Sequence, residues 1–181
     1  MPNRNIYLLS LPVMHGLVYG SALMKQLIGY GRQLGLTVVA TDGTAEENDK
    51  AIKTYDPVVF YSVGHGNCVV HTVECMTPYI STVGECRFTF LGKVYEYRSD
   101  KYMRLDMFRG RHVHLQSCVT GMILGKDLVR KGGARSFIGY TMPFIYGVRD
   151  RMDTPRPSPG TPPTHKADYY SFIACDVAGE Y

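Results

Sequence analysis

The chain has 181 residues, 45% hydrophobic and 20% charged, with a net charge of +4. That suits one compact domain with a real core and excludes a wholly disordered chain. Lys and Arg are scattered among carboxylates rather than gathered into a stripe, so nucleic acid is not an expected partner. No apolar run approaches the roughly 20 residues that span a bilayer, so no membrane partner is expected.

Strand and helix signals alternate along the chain. Asn5 to Leu11 is a short apolar run stopped by Pro12, which reads as a buried strand; it is too short for a secretory leader and lacks a small-x-small cleavage pattern. Ser21 is placed to cap a helix through about Leu34, with Leu23, Leu27, Ile28 and Leu34 at helical spacing and Gly35 as its stop. Leu36 to Ala40 is a second strand. Thr44-Ala45-Glu46-Glu47 forms a capping box, in which the Thr hydroxyl and the Glu carboxylate are expected to satisfy reciprocal backbone donors, and it opens a helix to about Tyr55. Pro57 to Val63 and His112 to Ser117 are strands three and four. A helix is expected from about Gly121 to Lys131, and a fifth strand from Ala134 to Tyr140. Such alternation implies an α/β domain with a mainly parallel sheet and helices on both faces, hence three layers.

Two segments interrupt the pattern. An insert over 67–110 carries the alternating stretches Cys86–Phe90 and Val94–Tyr97, with Leu91-Gly92-Lys93 as the turn of a β-hairpin. Pro and Gly crowd 153–165, which reads as an irregular loop. After it, Tyr169, Phe172, Ile173 and Val177 suggest a closing helix; the chain ends inside that pattern, as expected of a longer protein or a processed product. The whole, 1–181, is taken as a single domain. Five cysteines without paired spacing are expected to be free thiols in a reducing compartment, which favours the cytoplasm.

Chemistry concentrates at two strand ends. Ser62-Val63-Gly64-His65-Gly66 follows the third strand, and Gln116-Ser117-Cys118 ends the fourth. Ligands of open parallel sheets bind beyond the carboxyl ends of the strands. If these strands are neighbours, Cys118 and His65 meet there. An imidazole promotes the thiolate of a cysteine nucleophile, and the positive end of the helix expected after Cys118 should do the same. Gly66 allows close backbone approach, so its N–H and that of Cys118 are candidate oxyanion donors.

A strand ending in His-Gly, then a strand ending in Gln-x-Cys before a helix, resembles the caspase–gingipain–legumain superfamily of cysteine peptidases. The resemblance covers about Asn5 to Tyr140. It implies a caspase-like fold, a Cys118–His65 dyad, oxyanion donation by Gly66 and the Cys118 amide, and a Gln116 that helps line the primary specificity pocket. A protein or peptide substrate follows, with no cofactor. Members that cleave after Arg or Lys often carry Asp shortly before the cysteine, where this chain has Gln116-Ser117, so the preferred substrate residue stays open.

Two other readings use the same residues. His65, Cys68, His71 and Cys75 have side chains suited to zinc, although their spacing matches no common ligand framework. In that reading Cys118 is a core residue. Alternatively, the fold serves as an inactive binding or assembly subunit, its partner surface supplied by 14 tyrosines and the Pro-rich loop. His112 and His114 alternate on one strand and are expected to share a face in a structural role.

Overall fold

A computed structural model describes residues 2–10, 20–73, 77–90 and 92–143. The Pro-rich segment 153–165, the residues expected in a closing helix, Cys75 and Cys175 lie outside them. Five strands form one parallel sheet: β1 (Asn3–Ser10), β2 (Thr37–Thr41), β3 (Pro57–Val63), and then, beyond the insert, β8 (His112–Gln116) and β9 (Ser136–Gly139). Their order is β2-β1-β3-β8-β9, so β3 and β8 are direct neighbours, with Tyr61 opposite His114 and Val63 opposite Gln116. Three helices accompany them among the described residues: α1 (Gly20–Gln33), α2 (Ala45–Tyr55) and α3 (Leu124–Arg130).

Local chemistry explains the element ends. Gly35, at φ 71°, takes the left-handed conformation that lets the chain leave α1. Because α1 begins at Gly20, Ser21 falls inside it rather than at its cap, and Leu34 lies just past it, largely exposed. Thr44 caps α2 by accepting from the Glu47 N–H at 3.2 Å. The reciprocal half of the capping box does not form. Asp42 Oδ1 accepts the Thr44 N–H at 3.0 Å, and the Glu47 carboxylate reaches back to the Asp42 N–H instead.

The 67–110 insert contains more than one ribbon. β4 (Val70–Val73) pairs antiparallel with β5 (Thr77–Ser81), β6 (Gly84–Phe90) pairs antiparallel with β7 (Lys93–Ser99), and a 3-10 turn at Asp106–Phe108 leads into β8. Val73, Tyr79, Ile80, Leu105 and Phe108 from this insert join Leu8, Ile52, Phe60, Val113, Leu115, Leu124 and Leu128 in one buried cluster. The insert therefore builds the core on the sheet face that α2 and α3 cover. It is anchored there by Asp49 of α2, which accepts from the Arg104 guanidinium at 3.0–3.1 Å and from the Tyr79 hydroxyl at 3.0 Å. The Tyr79 hydroxyl is pushed far above its usual pKa, first by burial and then by the Asp49 charge. It stays a proton donor to that carboxylate.

β6 and β7 form a separate two-stranded sheet. One face carries Cys86, Phe88, Tyr95 and Tyr97, with Phe88 stacked on Tyr95 and Tyr97 at 5.4 and 6.0 Å; the other carries the cross-strand pair Arg87–Glu96. Cys86 is joined to Cys68 by a disulfide. The expectation of five free thiols is thereby corrected. Sequence spacing could not expose the pair, because the partners are brought together only by the fold of the insert. The argument for the cytoplasm rested on reduced thiols and loses that support. No helix among the described residues is long and apolar enough to cross a membrane.

Candidate active site

The site is built where β3 and β8 end side by side. Beyond the Val63–Gln116 register pair, the Gly64 N–H donates to the Gln116 carbonyl at 3.3 Å, so the two chains leave the sheet still paired. The His65 loop then turns back into β4. Thr72 holds it by donating from its N–H (2.9 Å) and its hydroxyl (3.0 Å) to the His65 carbonyl. Asn67 Oδ1 accepts the N–H groups of Val69 and Val70 at 2.9 Å each, which fixes the turn between. The His65 side chain is left exposed.

The segments after the two strands press on each other. A Cβ on Gly66 would lie 2.9 Å from Thr120 Cγ2 and 3.0 Å from Ser117 Cβ and Oγ, tighter than carbon contacts allow. Gly66 is thus the residue that lets the His65 loop close onto the turn bearing Cys118. A backbone bond from the Leu124 N–H to the Cys68 carbonyl, 2.9 Å, stitches the same two segments farther along. Gly66 bridges antiparallel to His71, and the bonds of that bridge belong to Thr72–His65 and Asn67–Val70. The Gly66 N–H is not consumed by it.

Cys118 is half-buried and outside any disulfide. It stands in an irregular turn, not at a helix start. Val119 takes a left-handed φ of 54°, Gly121 donates to the Tyr140 carbonyl at 2.8 Å, and α3 begins only at Leu124. The expected helix from Gly121 to Lys131 is therefore shortened to seven residues, Leu124–Arg130. With it goes the expected lowering of the Cys118 pKa by a helix terminus, since that field fades within the first turn.

Gln116 and Ser117 point to opposite faces, as strand alternation demands. Gln116 is fully buried; its Oε1 accepts from the Tyr61 hydroxyl, while its Nε2 has no partner among the described residues. His114 packs edge-on against Tyr61 at 4.7 Å, and burial lowers its pKa to about 4. His112 pairs with Ser136 Oγ at 2.7 Å.

On the other face lies a group that sequence reading placed only in the zinc constellation. His71 is fully buried, with Nε2 2.9 Å from Ser62 Oγ and Nδ1 3.0 Å from Ser117 Oγ. Burial first, and the His65 charge second, lower its pKa to about 3, so it is neutral. The zinc grouping loses two members in this arrangement: Cys68 is bonded to Cys86, and both nitrogens of His71 face serine hydroxyls. No group of three metal-binding side chains occurs among the described residues. The His71 contacts were invisible to spacing, because Ser62 and Ser117 become neighbours only once β3 pairs with β8.

Fold and site thus define an α/β protein with a five-stranded parallel sheet whose His-Gly and Ser-Cys segments meet at one sheet edge. Comparison with known proteins returns no matching family model, no matching curated sequence and no matching solved structure.

Proposed function

We propose that the chain is a cysteine peptidase of the caspase-like class, acting through Cys118 and His65 and a thioester acyl-enzyme. The observation that carries this reading is the contact of Gly66 with Ser117 and Thr120, which brings the segment after His65 onto the turn of Cys118. Cys118 Sγ attacks the substrate carbonyl after its proton passes to His65, and the imidazolium then protonates the leaving amine. The Gly66 N–H, which the bridge to His71 does not use, is suited, with that of Cys118, to the tetrahedral oxyanion. Water attacks the thioester, releasing the acid product and restoring the thiol. Gln116, whose buried Nε2 has no partner among the described residues, is the candidate residue lining the primary specificity pocket.

A three-layer arrangement accords with this reading. α2 and α3 lie on the face of Leu8, Phe60 and Leu115, whereas Gly31 of α1 packs against Val38, which alternates to the opposite face. The test is cleavage of a mixed peptide library, read by mass spectrometry, together with iodoacetamide labelling mapped to Cys118. Cys118→Ala should abolish cleavage, by as much as about 10⁶ in kcat, while the fold stays intact. Full cleavage by Cys118→Ala, or no cleavage by the wild type of any library member, overturns the proposal.

A further inference from the structure

Beneath the candidate site runs a continuous line of buried polar side chains. Thr41 donates to Asn48 Oδ1 at 2.7 Å, and Asn48 Nδ2 donates to Ser10 Oγ at 2.8 Å. Ser62 donates to Ser10 at 3.4 Å and lies 2.9 Å from His71 Nε2. His71 Nδ1 reaches Ser117 Oγ at 3.0 Å, and Thr120 donates to the Ser117 carbonyl at 3.2 Å. Ser10, Asn48, Ser62, His71, Ser117 and Thr120 are all fully buried. The line crosses from β2 through β1 and β3 to the residue before Cys118.

Either tautomer satisfies the chain. With Nε2 protonated, His71 donates to Ser62 and Nδ1 accepts from the Ser117 hydroxyl; with Nδ1 protonated, His71 donates to Ser117, whose hydroxyl turns to Thr120 Oγ1 at 3.5 Å, and Nε2 accepts from Ser62. A packing residue would need neither contact, since a leucine fills the same space. A buried hydroxyl left without a partner is costly, so each serine is held to this geometry.

We propose that His71 is a positioning residue for Cys118: through Ser117 it fixes the strand-to-turn exit on which the thiol stands. The role rests on Cys118 being the reacting thiol, and it goes beyond the dyad because both nitrogens of His71 are engaged with serine hydroxyls. Ser117 joins His71 to the residue that reacts, so the effect is assigned to the bond at Nδ1 rather than the one at Nε2.

Amide side chains separate the two bonds. The Asn amide falls where Nδ1 stands and can accept from Ser117; the Gln amide falls where Nε2 stands and can donate to Ser62. His71→Asn should therefore retain Cys118 alkylation and kcat near the wild-type level. His71→Gln and Ser117→Ala should each lower both by roughly tenfold or more with KM little changed, as expected when a reacting group is displaced. Rates are read per folded molecule, with iodoacetamide adducts mapped to Cys118. Ser117→Ala removes only a hydroxyl, so it serves where a His71 variant does not fold. Equal rates in all foldable variants and wild type overturn the role, as does a loss in His71→Asn matching that in His71→Gln. The alkylation series needs no peptide substrate. A wild type that cleaves nothing but follows this series would sink the peptidase reading and leave the positioning role standing.

Discussion

Gly66 shows how a single hydrogen atom in place of a methyl group decides the site. A Cβ there would meet Thr120 Cγ2 at 2.9 Å and Ser117 Cβ at 3.0 Å, and none of these is the free end of a long side chain. Gly66→Ala is therefore expected to destabilise the fold by about 1–3 kcal/mol, the usual cost of overpacking. Cys118 alkylation should slow with it, because the two segments must part. Urea unfolding and labelling rate measured on one preparation check both. A variant as stable and as reactive as wild type would show that the segments are not in contact. Neighbouring Gly64 is tighter still, since its Cβ would meet the backbone carbonyl of Thr72. Of the two, Gly66 alone was legible in the sequence as a point of close approach. What they approach was not, because Thr72, Ser117 and Thr120 come from elsewhere in the chain.

Among the elements, the β6–β7 ribbon depends most on a single link. A two-stranded hairpin is marginal in water, and its aromatic face stacks largely on itself. The Cys68–Cys86 disulfide, spanning a sequence separation of 18, ties its base to the loop after His65. Closing a loop of that length in the unfolded chain is worth about 3 kcal/mol in the chain-entropy account. Dithiothreitol is expected to lower the urea midpoint of the wild type accordingly and to leave Cys68→Ala/Cys86→Ala unmoved. A wild-type midpoint indifferent to reductant would contradict the link. Legibility at this scale followed the physics of local signals. β3 was read at its observed bounds, and β1, β2, β8, β9 and α2 within a few residues, because apolar runs and turn residues carry that information. The start of α3 was missed, because the Val119 backbone and the Gly121–Tyr140 bond are tertiary choices. β4 and β5 were missed because their Pro- and Thr-containing runs lack clear alternation.

At the scale of the whole molecule, two buried imidazoles set the response to acid. His71 titrates near pH 3, chiefly through burial and then the His65 charge, and His114 near 4 through burial, against 6.5 for an exposed imidazole. Between those values the unfolded chain binds protons that the folded chain does not. Stability is thus fully present above pH 6.5 and is lost as the pH falls, toward about 4 for His114 and about 3 for His71. Each histidine contributes a slope of up to about 1.4 kcal/mol per pH unit in that window. Urea midpoints from about pH 7.5 to about pH 5 should fall steeply in wild type and less steeply in His71→Asn/His114→Asn. An unchanged slope in the double variant would place the titration on other groups.

The long connection from β3 to β8 has a consequence for the order of events during synthesis. The β1-α1-β2-α2-β3 half can assemble from contacts close in sequence, whereas β8 joins only after residues 64–111 have been made and have supplied their part of the core. His65 stands two residues past the early half, whereas Cys118 follows β8. A nascent chain therefore keeps Cys118 and His65 apart until β8 docks, so the proposed peptidase would be inert on the ribosome by the order of its own strands.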